Sequence, residues 1–412
     1  MEKPWLKEYD SSVPATIDYP KVPLHQLLID SAAKYGDIPA LIFGSVVEPL
    51  GNALMDTSMS YAELLDLTYK FASALQGLGV QKGDRVAIHL PNCPQFPIAY
   101  YATLMIGGIV VPCNPLYVAR ELKHQLSDSG AKVAVTFSLT YPIVKQIRAE
   151  TQLEHVVVTN IKEYFKGPLR ALFTVLREKK GGHRVDITAD AQTYDWHEVL
   201  ADRVPTSVSI DATTTAMLMY TGGTTGVPKG AVLTHGNMMA NAHQVGAWAP
   251  EAEAGKEVML TALPLTHSYS ATVAMNHSIA AGYSQLIVPD ARDLGSLLKV
   301  IDAHRPTYFP GVPTLYSAIA RHHKVTAGKV DVSSINFCIS GAAALPPDVQ
   351  RNFEAITGGT LVEGYGLSEA SPVTHANPLD GTAEVGFIGF PLPNTDCRVV
   401  DEATESQEMP VG

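Results

Sequence analysis

The stretch AMLMYTGGTTGVPKGAVLT, residues 216–234, places a run of glycines and threonines between two apolar segments that are typical of strands. Successive glycines allow backbone N–H groups to converge on an anion. The threonine hydroxyls add donors, or a ligand for a metal carried with the phosphates, and the lysine adds a positive charge. The stretch therefore predicts a phosphate loop formed by Thr221, Gly222, Gly223, Thr224, Thr225, Gly226 and Lys229.

Three well-known phosphate loops have a different sequence. A Walker A loop needs Gly-Lys-Ser/Thr opening a helix, whereas here Pro228 precedes Lys229, Gly230 follows it, and the chain returns as a strand. A Rossmann fingerprint needs a helix at the glycines, and a kinase needs later His-Arg-Asp and Asp-Phe-Gly elements. A flexible hairpin turn is the remaining alternative, which the unbroken glycine and threonine run argues against.

Apolar strand-like segments alternate with helix-like segments on both sides of the loop. This alternation predicts βαβ units and largely parallel sheets flanked by helices. We expect an α/β fold with two similar lobes, at residues 1–205 and 206–385, and the start of a β-rich subdomain at 386–412. The expected strands are 40–43, 85–90, 109–112, 133–136, 156–159, 216–220, 231–234, 257–261, 284–288, 308–309, 336–340 and 359–362.

Two further stretches follow expected strands. In VEGYGLSE, residues 362–369, glycines flank Tyr365, whose ring suits stacking on a flat base, and Glu369 offers a carboxylate to Mg²⁺, a cation that prefers oxygen ligands. In SGAAALP, residues 340–346, small side chains leave room for a flat ring to approach the backbone. Close helix–strand packing is the alternative for this second stretch.

These motifs together resemble those of the adenylate-forming superfamily, which contains acyl-CoA synthetases, luciferases and peptide-synthetase adenylation domains. The loop resembles its signature, with Gly222 where serine is usual, in a form similar to the long-chain fatty acyl-CoA synthetase branch. LPLTHSY, residues 263–269, resembles the Pro-Leu-Phe-His motif, with Thr266 replacing the aromatic residue, and residues 365–369 resemble Tyr-Gly-x-Thr-Glu. The resemblance covers nearly the whole chain and is weakest over 1–60 and 160–205.

The resemblance implies roles for individual residues. His267 would contact the substrate carboxylate and the phosphates, with Lys229 on the phosphates, and Thr225 and Glu369 would hold Mg²⁺. The implied substrate pocket contains Trp248, His267, Gly311 and Val312, where Trp248 is either a gate of the acyl tunnel or a surface aromatic residue. The implied adenine site contains Gly341, Ala342, Ala343, Glu363, Gly364, Tyr365, Gly366 and Ser368.

The resemblance also implies a two-step reaction that uses ATP, Mg²⁺, coenzyme A and a fatty acid. In the family the ribose-binding Asp, the hinge and the catalytic Lys come later than Gly412. We therefore expect the C-terminal lid domain to be absent, and the chain to bind nucleotide or acyl group but to adenylate poorly alone. The alternatives are activation of aryl, medium-chain or amino acids, a fatty acyl-AMP ligase that passes its adenylate to a carrier protein, and an inactive nucleotide- or acyl-binding module.

Composition limits the partners. A net charge of −11 argues against nucleic acid, whose phosphates call for a basic surface. The four cysteines are far apart and show neither metal-site nor disulfide spacing. The N-terminal residues have no apolar core after a basic start, so we expect no signal peptide there. The apolar run at 98–111 is too short to span a bilayer and predicts a buried helix leading into a strand. We expect a cytoplasmic enzyme, with a homodimer as an open hypothesis.

One basic stretch stands out in this acidic chain. Residues 161–184 contain seven basic side chains against two acidic ones, with apolar residues at helical spacing. Such an amphipathic helix suits peripheral docking on an anionic membrane surface. A helix packed on the protein body with a solvated basic face is an equally good interpretation.

Overall fold

The computed structural model describes residues 3–46, 54–222, 226–249 and 252–409, and the described strands form two sheets. The strands are β1 (Pro39–Val46), β2 (Leu54–Ser60), β3 (Arg85–His89), β4 (Ile109–Pro112), β5 (Val133–Phe137), β6 (His155–Thr159), β7 (Thr193–Asp195), β8 (Thr215–Thr221), β9 (Lys229–Thr234), β10 (Val258–Thr261), β11 (Ser284–Ile287), β12 (Tyr308–Gly311), β13 (Phe337–Ser340), β14 (Thr360–Gly366), β15 (Val373–Ala376) and β16 (Phe390–Pro391). All the strands that the sequence predicts are present within a few residues, which confirms the α/β fold class.

Helices connect most of these strands. They are α1 (Gln26–Tyr35), α2 (Tyr61–Gly77), α3 (Gln95–Met105), α4 (Ala119–Ser129), α5 (Tyr141–Ile147), α6 (Gly167–Phe173), α7 (Trp196–Val199), α8 (His235–Ala247), α9 (His277–Ala281), α10 (Leu294–His304), α11 (Pro313–Ala320), α12 (His323–Thr326) and α13 (Pro347–Thr357). Wider π-helical turns continue α6 over Thr174–Glu178 and lead into α9 over Ser270–Asn276. Short 3-10 turns lie at Pro4–Glu8, Arg148–Glu150, Ile161–Tyr164 and Ser368–Ala370.

The smaller sheet has the order β7-β6-β5-β3-β4-β8-β9. Its strands are parallel except β9, which runs antiparallel to β8 because the two form the hairpin of the predicted phosphate loop. The larger sheet has the order β16-β15-β14-β13-β12-β10-β11-β1-β2, parallel in the middle and antiparallel at both edges. Parallel strands buried under helices are the arrangement that their continuous apolar runs predict.

Sheet membership does not follow the predicted boundary at residue 206. The hairpin β8–β9 belongs to the sheet of the first lobe, since β8 lies parallel to β4. In return β1 pairs with β11 in register Leu41↔Gln285, so the first hairpin of the chain belongs to the sheet of the second lobe. These pairings join distant segments, which no local pattern encodes. How the chain divides into domains therefore stays a prediction.

The two sheets share a buried core. Every residue of α3 is buried, and Tyr101 donates a hydrogen bond of 2.8 Å to Asn276, whose amide donates to the Tyr100 hydroxyl at 3.1 Å. The apolar run at 98–111 is thus a buried helix that leads into β4, as the sequence predicts. Within the described ranges, no helix is long and apolar enough to cross a membrane.

The basic stretch at 161–184 is broken into a 3-10 turn, α6 and a π-helical turn instead of one long helix. Its apolar residues Phe165 and Phe173 are buried in the core. Lys162 lies 2.6 Å from Glu178, and Arg170 lies 2.9 Å from the buried Glu163. Its buried phenylalanines therefore fix this stretch on the protein body, while the side chains of Val175, Leu176, Lys179 and Lys180 are exposed.

Candidate functional site

The site lies where the parallel strands β12, β13 and β14 end at one edge of the larger sheet. Gly311 is in register with Ser340, and Ser340 with Glu363, so the segments that follow these strands are neighbours. A cavity of about 80 Å³ opens at this edge. Its lining includes predicted site residues from three parts of the chain, namely Trp248, His267, Gly341, Ala342, Gly364, Tyr365, Gly366 and Ser368.

Glycines are required at this edge because other atoms occupy the space of a side chain. A β-carbon on Gly341 would lie 3.1 Å from the Tyr269 ring, and one on Gly364 would lie 2.9 Å from Ile339. At Gly366 it would lie 2.2 Å from the backbone oxygen of Pro372, which is far inside van der Waals contact. The glycines let two strands and a ring pack closely, and this packing shapes the cavity.

The turn after β13 is held in an unusual conformation. Ala342 has a φ of 67°, in the left-handed region that side chains other than glycine rarely adopt. The Glu363 carboxylate accepts a hydrogen bond of 3.1 Å from the Leu345 amide and so fastens the far end of the turn to β14. Ala342 and Ala343 are exposed, and such backbone strain is typical of ligand-binding segments.

Tyr365 projects from the end of β14 and is 48% exposed. Its ring meets the His375 ring at an angle of 64° with the ring centres 6.1 Å apart, so the contact is an edge contact. A face of the tyrosine ring is therefore available for a flat aromatic ligand to stack on it.

His267 faces the same cavity from the loop after β10. Burial lowers the pKa of its imidazole below the ordinary value of 6.5, which keeps the ring neutral at neutral pH. Its Nδ1 accepts a hydrogen bond of 3.3 Å from the Tyr269 amide. In the neutral ring the proton is then on Nε2, which can donate to a carboxylate or a phosphate oxygen.

The His267 loop is fixed by Asn92, which the sequence analysis missed. The buried Asn92 amide donates to the carbonyls of Thr261, at 3.2 Å, and Leu263, at 2.9 Å, and its oxygen accepts from the Leu265 amide at 2.8 Å. One side chain thus satisfies three backbone groups of the loop. Asn92 lies three residues after β3, and no local pattern shows that its partners belong to the loop after β10.

The phosphate loop connects β8 and β9 with Thr221 opposite Lys229. Gly223, Thr224 and Thr225 lie outside the described residues. Lys229 is exposed, and a β-carbon on Gly222 or Gly226 would meet no atom of the described residues within 4 Å. Gly226 has a φ of 101°, which a residue with a side chain would adopt only with strain.

Helix α4 supports the hairpin from one side. His124 Nε2 lies 3.1 Å from the Pro228 carbonyl at the exit of the loop, and Asp128 accepts a hydrogen bond of 2.6 Å from the Tyr220 hydroxyl at its entrance. Both supporting residues are about a hundred positions away in sequence, and no pattern in α4 pointed to them.

Glu369 connects the loop with the sheet edge. The Thr221 hydroxyl lies 3.5 Å from the Glu369 carboxylate, and the Ser268 and Ser368 hydroxyls lie 2.8 Å apart. The described residues contain no group of three or more His, Cys, Asp or Glu side chains that could hold a metal ion. A single carboxylate fits Mg²⁺ nevertheless, because this ion keeps several waters and substrate phosphates as ligands.

Of the remaining predicted pocket residues, Trp248 lines the cavity, whereas Gly311 and Val312 do not. Trp248 follows α8, is only 4% exposed and donates a hydrogen bond of 2.9 Å to the Asn377 carbonyl, so it is not a surface aromatic residue. Gly311 packs against the Tyr316 ring, and Val312 precedes α11; neither lines the cavity at the sheet edge.

A family model described as AMP-binding enzyme matches residues 28–412. The long-chain-fatty-acid–CoA ligase of Bacillus subtilis (strain 168) is 40% identical over 411 residues, which are 99% of this chain and 71% of that protein. A long-chain-fatty-acid–CoA ligase of Yersinia pestis is 37% identical, with the same coverage of both chains.

The solved structures include a similar fold. The crystal structure of a long-chain-fatty-acid–CoA ligase from Archaeoglobus fulgidus superposes with a TM-score of 0.78 over 98% of this chain and 76% of that chain, at 24% identity. At that identity the likeness concerns the fold.

Proposed function

Because the chain belongs to the AMP-binding enzyme family, we propose that it activates long-chain fatty acids by adenylation and transfers them to coenzyme A. The main support is that His267, Tyr365 and Trp248 line one cavity, which is apolar around Trp248. A long-chain acyl adenylate needs these three features: a donor at the carboxylate, a platform for adenine and an apolar wall for the chain.

In the proposed first step a carboxylate oxygen of the fatty acid bonds to the α-phosphorus of ATP. The bond from that phosphorus to its bridging oxygen breaks, and pyrophosphate leaves. In the second step the sulfur of coenzyme A bonds to the acyl carbon, and AMP leaves. The first step needs mainly positioning and neutralisation of charge.

The residues have the following proposed roles. Tyr365 and the turn at Gly341 and Ala342 hold adenine, and His267 Nε2 donates to the reacting carboxylate. Lys229 and the threonines of the loop bind the β- and γ-phosphates. Mg²⁺ would be held by Glu369 and Thr225 and would neutralise phosphate charge there.

ATP–pyrophosphate exchange with palmitate, octanoate, benzoate and phenylalanine tests the proposal. Because the relatives are longer than this chain, the panel is run in parallel on the chain joined to the remaining residues of the Bacillus subtilis relative. We expect the fastest exchange with palmitate. Exchange with benzoate or phenylalanine but not with fatty acids would point to another acid, and exchange with no acid in either protein would point to a binding module.

The role of Tyr365 can be tested by a matched pair of variants. Tyr365→Phe keeps the ring and should bind AMP as the original chain does, whereas Tyr365→Ala should weaken AMP binding about tenfold because a stacking contact contributes roughly 1–3 kcal/mol. Equal AMP binding by the two variants would contradict stacking of adenine on the Tyr365 ring. Isothermal titration calorimetry measures both.

Peripheral membrane contact and a homodimer are finer parts of the proposal. Val175 and Leu176 are 79% and 45% exposed beside Arg177, Lys179 and Lys180, which suits an anionic surface. The double variant Lys179→Glu with Lys180→Glu should bind anionic liposomes more weakly, and unchanged binding would end the membrane proposal. Light scattering measures the oligomeric state.

A further inference from the structure

Three cavities lie in a row behind the sheet edge. The inner cavity is the one that His267 and Tyr365 line. The middle cavity, of about 30 Å³, shares Val245, Trp248, Val273 and Ile339 with the inner one. The outer cavity, of about 80 Å³, shares Trp248, Ala249, Tyr308, Phe337 and Leu379 with the middle one. Neighbouring cavities therefore share walls, and Trp248 lines all three.

The N-terminal arm, defined here as residues 3–19, forms the far wall of the outer cavity. Asp10, Ser12 and Val13 line it from the arm, opposite Pro378 and Asp380. Val13 packs on the apolar cluster around Trp248, so its side chain faces inward.

The arm is attached at several points along its length. The Tyr9 ring meets the Trp248 ring edge-on with centres 5.2 Å apart, and the Tyr9 hydroxyl donates to the Pro391 carbonyl. Further along, the Asn394 amide donates to the Ile17 carbonyl at 2.6 Å and accepts from the Ile17 amide at 3.3 Å. At the other end, Lys3 lies 2.6 Å from Asp396. The arm is thus a fixed wall at the position of Val13.

We propose that the N-terminal arm closes the far end of the acyl channel and that Val13 limits the length of the acyl chain that the enzyme accepts. The inference rests on the proposed function, since it takes the row of cavities as the path of the fatty-acyl chain. The carboxylate end is at His267, the chain passes Trp248 through the apolar middle cavity, and its methyl end meets Val13. Apolar walls in the middle and a fixed end wall are what selection by chain length requires.

The outer cavity is also lined by two aspartates. The carboxylates of Asp10 and Asp380 lie at its rim, and Asp10 accepts a hydrogen bond of 2.7 Å from the Ser12 amide. A second carboxylate at the far end of a substrate would meet like charges there. We therefore expect a monocarboxylic acid to bind better than the dicarboxylic acid of the same length.

The test changes the size of the end wall. Val13→Trp fills the outer cavity, Val13→Ala enlarges it, and Ala15→Trp is the matched control, because it adds the same ring to an exposed position of the same arm outside the cavity lining. The full chain is titrated calorimetrically with octanoate, laurate, palmitate and the longer arachidate in the presence of AMP. AMP binding itself reports that each variant is folded.

We expect Val13→Trp to weaken palmitate binding about tenfold, since added volume in a filled site is costly, and to change octanoate binding by less than about twofold. Val13→Ala should bind acids longer than palmitate better than the original chain does, and Ala15→Trp should match the original chain. An unchanged ratio of palmitate to octanoate binding in both Val13 variants would overturn the role of the arm while leaving fatty-acid binding intact. If the original chain binds AMP but no fatty acid of any length, the proposed function fails and the inference fails with it.

Discussion

The glycines of the phosphate loop and those of the sheet edge are the same residue type, but their surroundings in the folded protein differ. At the sheet edge, Gly364 and Gly366 have no room for a side chain, because Ile339 and the Pro372 carbonyl occupy the space. In the loop, Gly222 and Gly226 have no atom of the described part of the chain within 4 Å of where a side chain would begin. The edge therefore needs glycine for packing in the folded protein. In the loop we propose that glycine allows the backbone amides to approach a phosphate.

This difference predicts that the edge glycines affect the stability of the fold and that the loop glycines affect the binding of phosphate. The edge is built before a ligand arrives, since its glycines, the strained Ala342 and the Asn92 contacts are part of the folded structure. The loop is supported at its two ends by α4, through His124 and Asp128. Substitutions at the edge should therefore change the free energy of unfolding, and substitutions in the loop should change mainly the binding of phosphate.

The largest expected effect is that of Gly366→Ala. A β-carbon 2.2 Å from a backbone oxygen forces β14 and the segment after it apart, so the free energy of unfolding should fall by about 3 kcal/mol. Gly222→Ala is the matched control and should change it by less than about 0.5 kcal/mol. Urea unfolding measures both. If both variants lose the same free energy of unfolding, the proposed difference between the two sets of glycines is wrong.

The next effect concerns Glu369, the residue that connects the two regions. Glu369→Gln removes the negative charge beside Thr221, and ATP–pyrophosphate exchange should slow about a hundredfold because a group that stabilises charge in the reaction is lost. The stability of the variant should not change, since Glu369 is exposed. Glu402→Gln, also exposed, is the control. A slowing of less than about threefold would contradict a role for Glu369 at the phosphates of ATP.

The last effect concerns His235, which lies at the start of α8 after the loop hairpin. His235 begins α8 directly after β9, and its Nδ1 accepts the Leu24 amide at 3.0 Å. Burial lowers the pKa of His235, and that of its neighbour His25, from 6.5 to about 4. Protons therefore bind the unfolded chain first, so stability present above pH 6.5 should be lost as the pH falls toward 4.

The expected loss is at most about 1.4 kcal/mol per pH unit for each such histidine. Urea unfolding at a series of pH values measures it. His235→Gln should reduce the dependence on pH, whereas the exposed His323→Gln should leave it unchanged. If His235→Gln unfolds with the same pH dependence as the original chain, the histidine beneath the loop is not the group that titrates.

Much of the fold followed from local patterns. The apolar runs predicted the strands, and a capping box of Ser60 and Glu63 begins α2 in the structure. The motif residues also met at one edge, because the carboxyl ends of neighbouring parallel strands lie together. Their roles stay predictions, and Gly223, Thr224 and Thr225 lie outside the described residues.

The rest depended on contacts between distant segments. Nothing near β1 indicates that it pairs with β11, and nothing in α4 indicates that His124 and Asp128 support a hairpin a hundred residues away. Asn92 was missed for the same reason, since its three partners belong to a loop after β10. Local sequence specifies which elements form. Long-range packing decides which of them meet.

The most direct measurement of the central claim is the binding of non-hydrolysable acyl-AMP analogues, because it does not depend on completing the reaction. A palmitoyl analogue should bind at least about a hundredfold more tightly than AMP, since one molecule fills both the adenine site and the apolar cavities. A benzoyl analogue should fall between the two. If the benzoyl analogue binds more tightly than the palmitoyl one, or if the palmitoyl group adds nothing to AMP, the site is not built for a long-chain acyl adenylate.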